Sequence, residues 1–90
     1  MTRWAAKVDA NQGAIVRALR SAGHQVYLTH RLGGGFPDIL VRTKSKRLVQ
    51  MEIKMPGEPL TPAEEDYVRD FPETWIVESV AEALAACRLR

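Results

Sequence analysis

A chain of 90 residues, 46% apolar and 27% charged, has the composition of one folded domain spanning 1–90 and no length for a second. One cysteine, Cys87, excludes an internal disulfide, and no run approaches the ~20 apolar residues of a membrane-spanning helix. The net charge of +2 hides an uneven distribution: residues 1–54 carry ten basic and three acidic groups, residues 55–90 three basic and eight acidic ones. A basic half suits a polyanion such as nucleic acid, although the charges could equally mix once the chain folds. The opening residues Met1 to Lys7 lack an apolar stretch of signal-peptide length, so a cytoplasmic protein is expected.

In chain order, Val8, Ile15, Leu19 and Ala22, with Val16 and Ala18 beside them, recur at the spacing of a helix lying on a core, and Gly23 ends it. Gln25 to Thr29 reads as a strand and leads into the run Gly33-Gly34-Gly35. Pro37 to Arg42 and Arg47 to Lys54 read as the two strands of an antiparallel hairpin joined by Thr43 to Lys46. Met55 to Leu60, with Pro56, Gly57 and Pro59, breaks the pattern. Thr61-Pro62-Ala63-Glu64 then combines a capping box with proline at the first helical position, and the helix is expected to run to about Phe71. Thr74 to Glu78 reads as a strand, and Ser79 opens a last helix through Ala83, Leu84 and Cys87. The expected order is α-β-β-β-α-β-α.

Alternation places Leu48, Gln50, Glu52 and Lys54 on one face of the second hairpin strand, and Asp38, Leu40 and Arg42 on one face of the first. Pairing across Thr43 to Lys46 sets Asp38 opposite residues 51 to 53, so two carboxylates and a lysine converge at one end of the sheet. That set suits metal-dependent phosphodiester hydrolysis. Hard carboxylate oxygens hold Mg²⁺, which polarises the phosphate and lowers the pKa of the attacking water. The Lys54 ammonium could orient or help deprotonate that water and neutralise developing charge. An ordinary surface salt bridge is the competing account of the same three residues. Gln12 shares the apolar face of the first helix and needs a hydrogen-bonding partner, either in the site or in solvent.

These residues resemble the PD-(D/E)XK nuclease superfamily, and within it the small stand-alone VRR-NUC (virus-type replication-repair nuclease) domains. The resemblance is carried by Asn11-Gln12 with Ile15-Val16 and Ala18-Leu19-Arg20, by Gly33-Gly34-Gly35-Phe36-Pro37-Asp38, by Glu52-Ile53-Lys54, and by Gly57 with Leu60-Thr61-Pro62, and it covers about Asp9 to Phe71. It implies a restriction-endonuclease-like α/β core with a mixed sheet flanked by helices. It also implies dependence on Mg²⁺ or Mn²⁺, endonuclease action on DNA, often on branched structures such as four-way junctions, and a homodimer. Asp38, Glu52 and the Ile53 backbone carbonyl would be metal ligands, Lys54 the catalytic lysine and Gln12 the catalytic position of the first helix. Two departures stand out. Many relatives carry glutamate at the Gln12 position, where Asp9 is the nearest acid, and glutamine where this chain has Glu64.

Arg17, Arg20, Arg31, Arg42, Lys44, Lys46 and Arg47, with the backbone at Gly34 and Gly35, form the expected DNA-contacting surface, positioning the phosphates rather than reading bases. His24 and His30 lack the companions of a zinc site. Trp4, Tyr27, Tyr67 and Trp75 read as core or interface groups, and Phe36, beside the glycines, is the one aromatic placed to stack on a base. The sequence thus points to a metal-dependent DNA endonuclease that selects structure over sequence, with a non-cutting nuclease-fold module as the alternative.

Overall fold

The structure is a computed structural model and describes residues 10–88; the expectations placed on Trp4, Val8 and Asp9 fall outside them. The described residues form a small α/β domain of four strands and three helices: α1 (Gln12–Ser21), β1 (Gln25–Leu28), β2 (Ile39–Arg42), β3 (Leu48–Ile53), α2 (Pro62–Asp70), β4 (Trp75–Val77) and α3 (Val80–Arg88). No helix among them is long and apolar enough to cross a membrane. The expected order is observed.

The sheet runs β1-β2-β3-β4, with the β1–β2 and β2–β3 pairs antiparallel and the β3–β4 pair parallel. A mixed sheet follows from the connections. A tight turn can only return the chain antiparallel, whereas the crossover through α2 brings β4 back in the direction of β3. The strands are a residue or two shorter than the sequence suggests, yet Thr29 N–H still donates to the Asp38 carbonyl (2.9 Å) and Lys54 N–H to the Val77 carbonyl (3.0 Å), so the ladders run past the strand ends.

One face of the sheet carries Val26, Ile39, Val41, Val49, Met51, Ile53 and Val77, all buried against Ile15, Val16 and Leu19 of α1 and Ala83, Ala86 and Cys87 of α3. This is the core, and its alternation along β2 and β3 matches the pattern read from sequence. α1 ends in a Schellman motif: His24 N–H reaches the Leu19 carbonyl (3.1 Å), Gly23 N–H reaches that of Arg20 (3.0 Å), and Gly23 takes φ +96°. Asn11 does not cap α1 with its side chain. Its Nδ2 donates instead to the carbonyls of Lys54 and Glu78, both at 3.1 Å, and pins the start of the helix to the ends of β3 and β4.

The opposite face of the sheet is thinly covered. α2 contributes no fully buried residue and lies over this face through a few contacts. The Tyr67 hydroxyl bonds the Gln50 side chain, and the Tyr67 ring meets Phe36 edge-on and stacks on Phe71, at centroid distances of 5.4 and 4.6 Å. The Thr61–Glu64 capping box is present as the sequence predicts, with Thr61 Oγ1 accepting from Glu64 N–H and Glu64 Oε1 from Thr61 N–H. Gly35 lies directly beneath this helix start. A Cβ on Gly35 would stand 2.2 Å from the Ala63 carbonyl oxygen, and its φ is +81°.

Candidate active site

Register does the first part of the assembly. Ile39 pairs with Met51, so Asp38 continues the ladder opposite Glu52, and Asp38 Oδ2 accepts a 2.8 Å hydrogen bond from Ile53 N–H. Both carboxyls share the thinly covered face with Lys54. Parallel pairing of Glu52 with Ile76 and of Ile53 with Val77 then walls in the far side of β3. Glu52 and Lys54 are only 3% and 5% exposed, which sets aside the account of these residues as a solvated surface pair.

Burial dominates the electrostatics. It raises the Asp38 carboxyl above its usual range although the Ile53 N–H pulls the other way. Glu52 is pushed up to about 9, first by burial and then by the negative charge of Asp38 beside it, with Glu64 adding to the effect. Lys54 Nζ lies 2.8 Å from Glu64 Oε1 and 3.7 Å from both Glu52 Oε2 and Glu58 Oε2. Burial works against its ammonium, but Glu64, Glu52 and Glu58 outweigh it and hold the lysine above its ordinary value. Lys54 is therefore a cation at neutral pH, fit to orient or neutralise an anion.

Glu64 and Glu58 are the residues the sequence reading did not place here. Both belong to the acidic half, yet both reach the lysine. Burial raises the Glu64 carboxyl, but the Lys54 ammonium and the Thr61 N–H outweigh it and keep Glu64 ionised. The one signal available in sequence was the capping box itself, because a glutamate fixed at N3 cannot point freely into solvent.

The remaining candidates divide. Gln12 is buried, 5% exposed, on the core side of α1, with Nε2 3.5 Å from His30 Nδ1. Gly33, Gly34 and Gly35 all take positive φ, and Gly35 is a packing contact with α2. Arg20 donates to the Val26 carbonyl at 2.9 Å, and Arg47 donates to the carbonyls of Ala86 and Cys87 at the end of α3. Arg17 lies with Arg20 around a cavity between α1 and Leu28, and Arg31 is exposed before the glycine run. Arg42, Lys44 and Lys46 gather at the other end of the hairpin from Asp38. Phe36 meets Tyr67 edge-on and is half-buried.

Among the described residues no three His, Cys, Asp or Glu side chains stand in a ready-made metal cage. Two hard carboxylates forced together nevertheless fit a divalent cation of the Mg²⁺ kind, which keeps several waters and needs one or two carboxylates from the protein. Burial drives Glu52 upward first and repulsion from Asp38 second, and the second is what such a cation would relieve. In comparison with known proteins, the chain matches no family model, no curated protein and no solved structure.

Proposed function

We propose that the chain is a metal-dependent nuclease of the restriction-endonuclease-like kind, hydrolysing phosphodiesters in DNA, with branched DNA as the favoured substrate. The observation that carries this reading is the convergence of half-buried Asp38 and buried Glu52 with a buried, ionised Lys54 at one end of the β2–β3 hairpin. Asp38, Glu52 and the Ile53 carbonyl would hold Mg²⁺ or Mn²⁺, which when bound polarises the phosphate and acidifies the attacking water. The residues do the rest. Ile53 N–H fixes the Asp38 carboxylate in place. The Lys54 ammonium, within reach of Glu52 and set on the same strand, meets the negative charge that builds on the phosphate oxygens during attack. Glu64 holds that ammonium in position until substrate competes for it.

The ion pairs around Lys54 also favour a second reading, a module that binds nucleic acid without cutting it. Incubation of a four-way junction, a flap and a linear duplex with Mg²⁺ or Mn²⁺ separates the two. Wild-type cleavage is expected, with Asp38→Asn and Lys54→Ala each losing on the order of 10²-fold or more in rate. Cleavage that survives these substitutions, or never appears, removes the nuclease reading.

A further inference from the structure

Away from the carboxylates, the closed end of the hairpin forms a second feature. Gly23, Gln25, Arg42, Thr43, Lys44 and Lys46 line an open cavity of about 360 Å³. Three of the six are cationic, and none of these three has a carboxylate within 4.0 Å among the described residues. The end of α1, the start of β1 and the hairpin turn build the cavity together. Lys44 N–H donates to His24 Nδ1 at 3.1 Å, and its side-chain stem crosses over Gly23 at the end of α1. Arg42 stands opposite Gln25 in the β1–β2 register.

Lys46 supplies an independent sign. It is the only non-glycine residue among those described with positive φ, at +74°. Lys46 N–H closes the turn on the Thr43 carbonyl (2.8 Å), and Thr43 N–H bonds the Arg47 carbonyl (2.8 Å), the pattern of a tight turn followed by one left-handed residue. Glycine or asparagine takes that position at little cost, and lysine does not. A strained backbone kept under a cation, in a cavity of unpaired cations, suggests that the charge is wanted there for something outside the chain.

We propose that this cavity binds an internal phosphodiester of the nucleic-acid strand, at a subsite separate from the Asp38–Glu52 centre. The inference rests on the reading that the chain's ligand is nucleic acid. Asp38 and Arg42 share one face of β2 and are four residues apart, about 13 Å along the strand, so one duplex can reach both. The subsite grips the backbone at a fixed distance from the scissile bond. It carries no base preference.

The test is a binding titration with a short DNA duplex in EDTA across a salt series, using Lys46→Gly and Arg42→Gln beside wild type. Loss of one phosphate contact lowers the slope of log K against log salt by about 0.9, and affinity by about eightfold at about 0.1 M salt. Lys46→Gly is expected to show both losses while its melting temperature rises by a few degrees (about 3 °C or more), because the left-handed strain is relieved. Unchanged salt slopes in both variants overturn the proposal. So does a fall in the Lys46→Gly melting temperature, which would assign the lysine to the turn itself, and so does tighter binding of a 5′-phosphorylated duplex than of an unphosphorylated one, which would assign the cavity to a terminal phosphate. The two readings fail separately. If no substrate is cut but the variants still weaken binding, the nuclease reading falls and the subsite stands; if cutting is intact and binding ignores the variants, the subsite falls alone.

Discussion

At the scale of single residues, the chain spends stability on its site. Glu52 keeps its proton to about pH 9 in the fold, whereas the unfolded chain releases it near the ordinary value of 4.5. Between those limits the folded state binds more protons than the unfolded one, so stability falls as pH rises, by at most on the order of 1 kcal/mol per pH unit. Asp38, also raised, contributes with the same sign. Glu64 is lowered and Lys54 raised, so their contributions are complete across this window: the first is lost only below the usual carboxylate range and the second only in strong alkali. Thermal melts in EDTA should therefore show wild type more stable at about pH 5 than at about pH 8, and Glu52→Gln should flatten that slope while melting higher at the upper pH. Adding Mn²⁺ should reverse the trend for wild type alone, because binding needs the deprotonated carboxyls and is linked to their proton release. A wild-type profile that is already flat in EDTA would show that Glu52 is not raised in the fold, by burial or by Asp38, and the cation-site argument would go with it.

At the scale of elements, the hairpin was legible in the sequence and its cover was not. Alternation along Pro37–Arg42 and Arg47–Lys54 placed Asp38 only within residues 51 to 53; the exact partner, Glu52, follows from a connection one residue longer than expected, in which Arg47 joins the turn and Arg42 pairs with Leu48. The capping box at Thr61 was equally plain, since cap and helix are neighbours in sequence. What could not be read was where that helix start would lie. Glu64 is ten residues beyond Lys54 across a Pro-Gly segment, and the path of such a segment depends on contacts made elsewhere. One of those contacts is Gly35. The glycine run was read as a surface for DNA, yet Gly35 allows the Ala63 carbonyl to come within the space of a missing methyl group. Gly35→Ala meets both a backbone clash and a left-handed φ, and is expected to cost about 2–4 kcal/mol in urea unfolding. It should also detach Glu64 from Lys54, so cleavage should fall further than the loss of folded protein accounts for. If the variant unfolds at the wild-type urea concentration, α2 is not seated on the glycine run in solution.

At the scale of the whole molecule, three layers are expected and the third is incomplete. α1 and α3 close the core face, but on the other face α2 leaves Tyr27, Leu48 and Ile76 at 54%, 65% and 42% exposure, in a band that flanks the two carboxylates. A domain this short has little surface left for recognition once its core is made. Branched DNA of two-fold symmetry presents two equivalent phosphodiesters, and cutting both needs two centres related by a two-fold axis. A second copy of the chain would supply the second centre, provided that it leaves the face bearing Asp38, Glu52 and Arg42 open to the DNA. Sedimentation at micromolar concentration should accordingly find a dimer for wild type. A wild-type chain that sediments as a monomer with and without DNA would leave each centre to act alone.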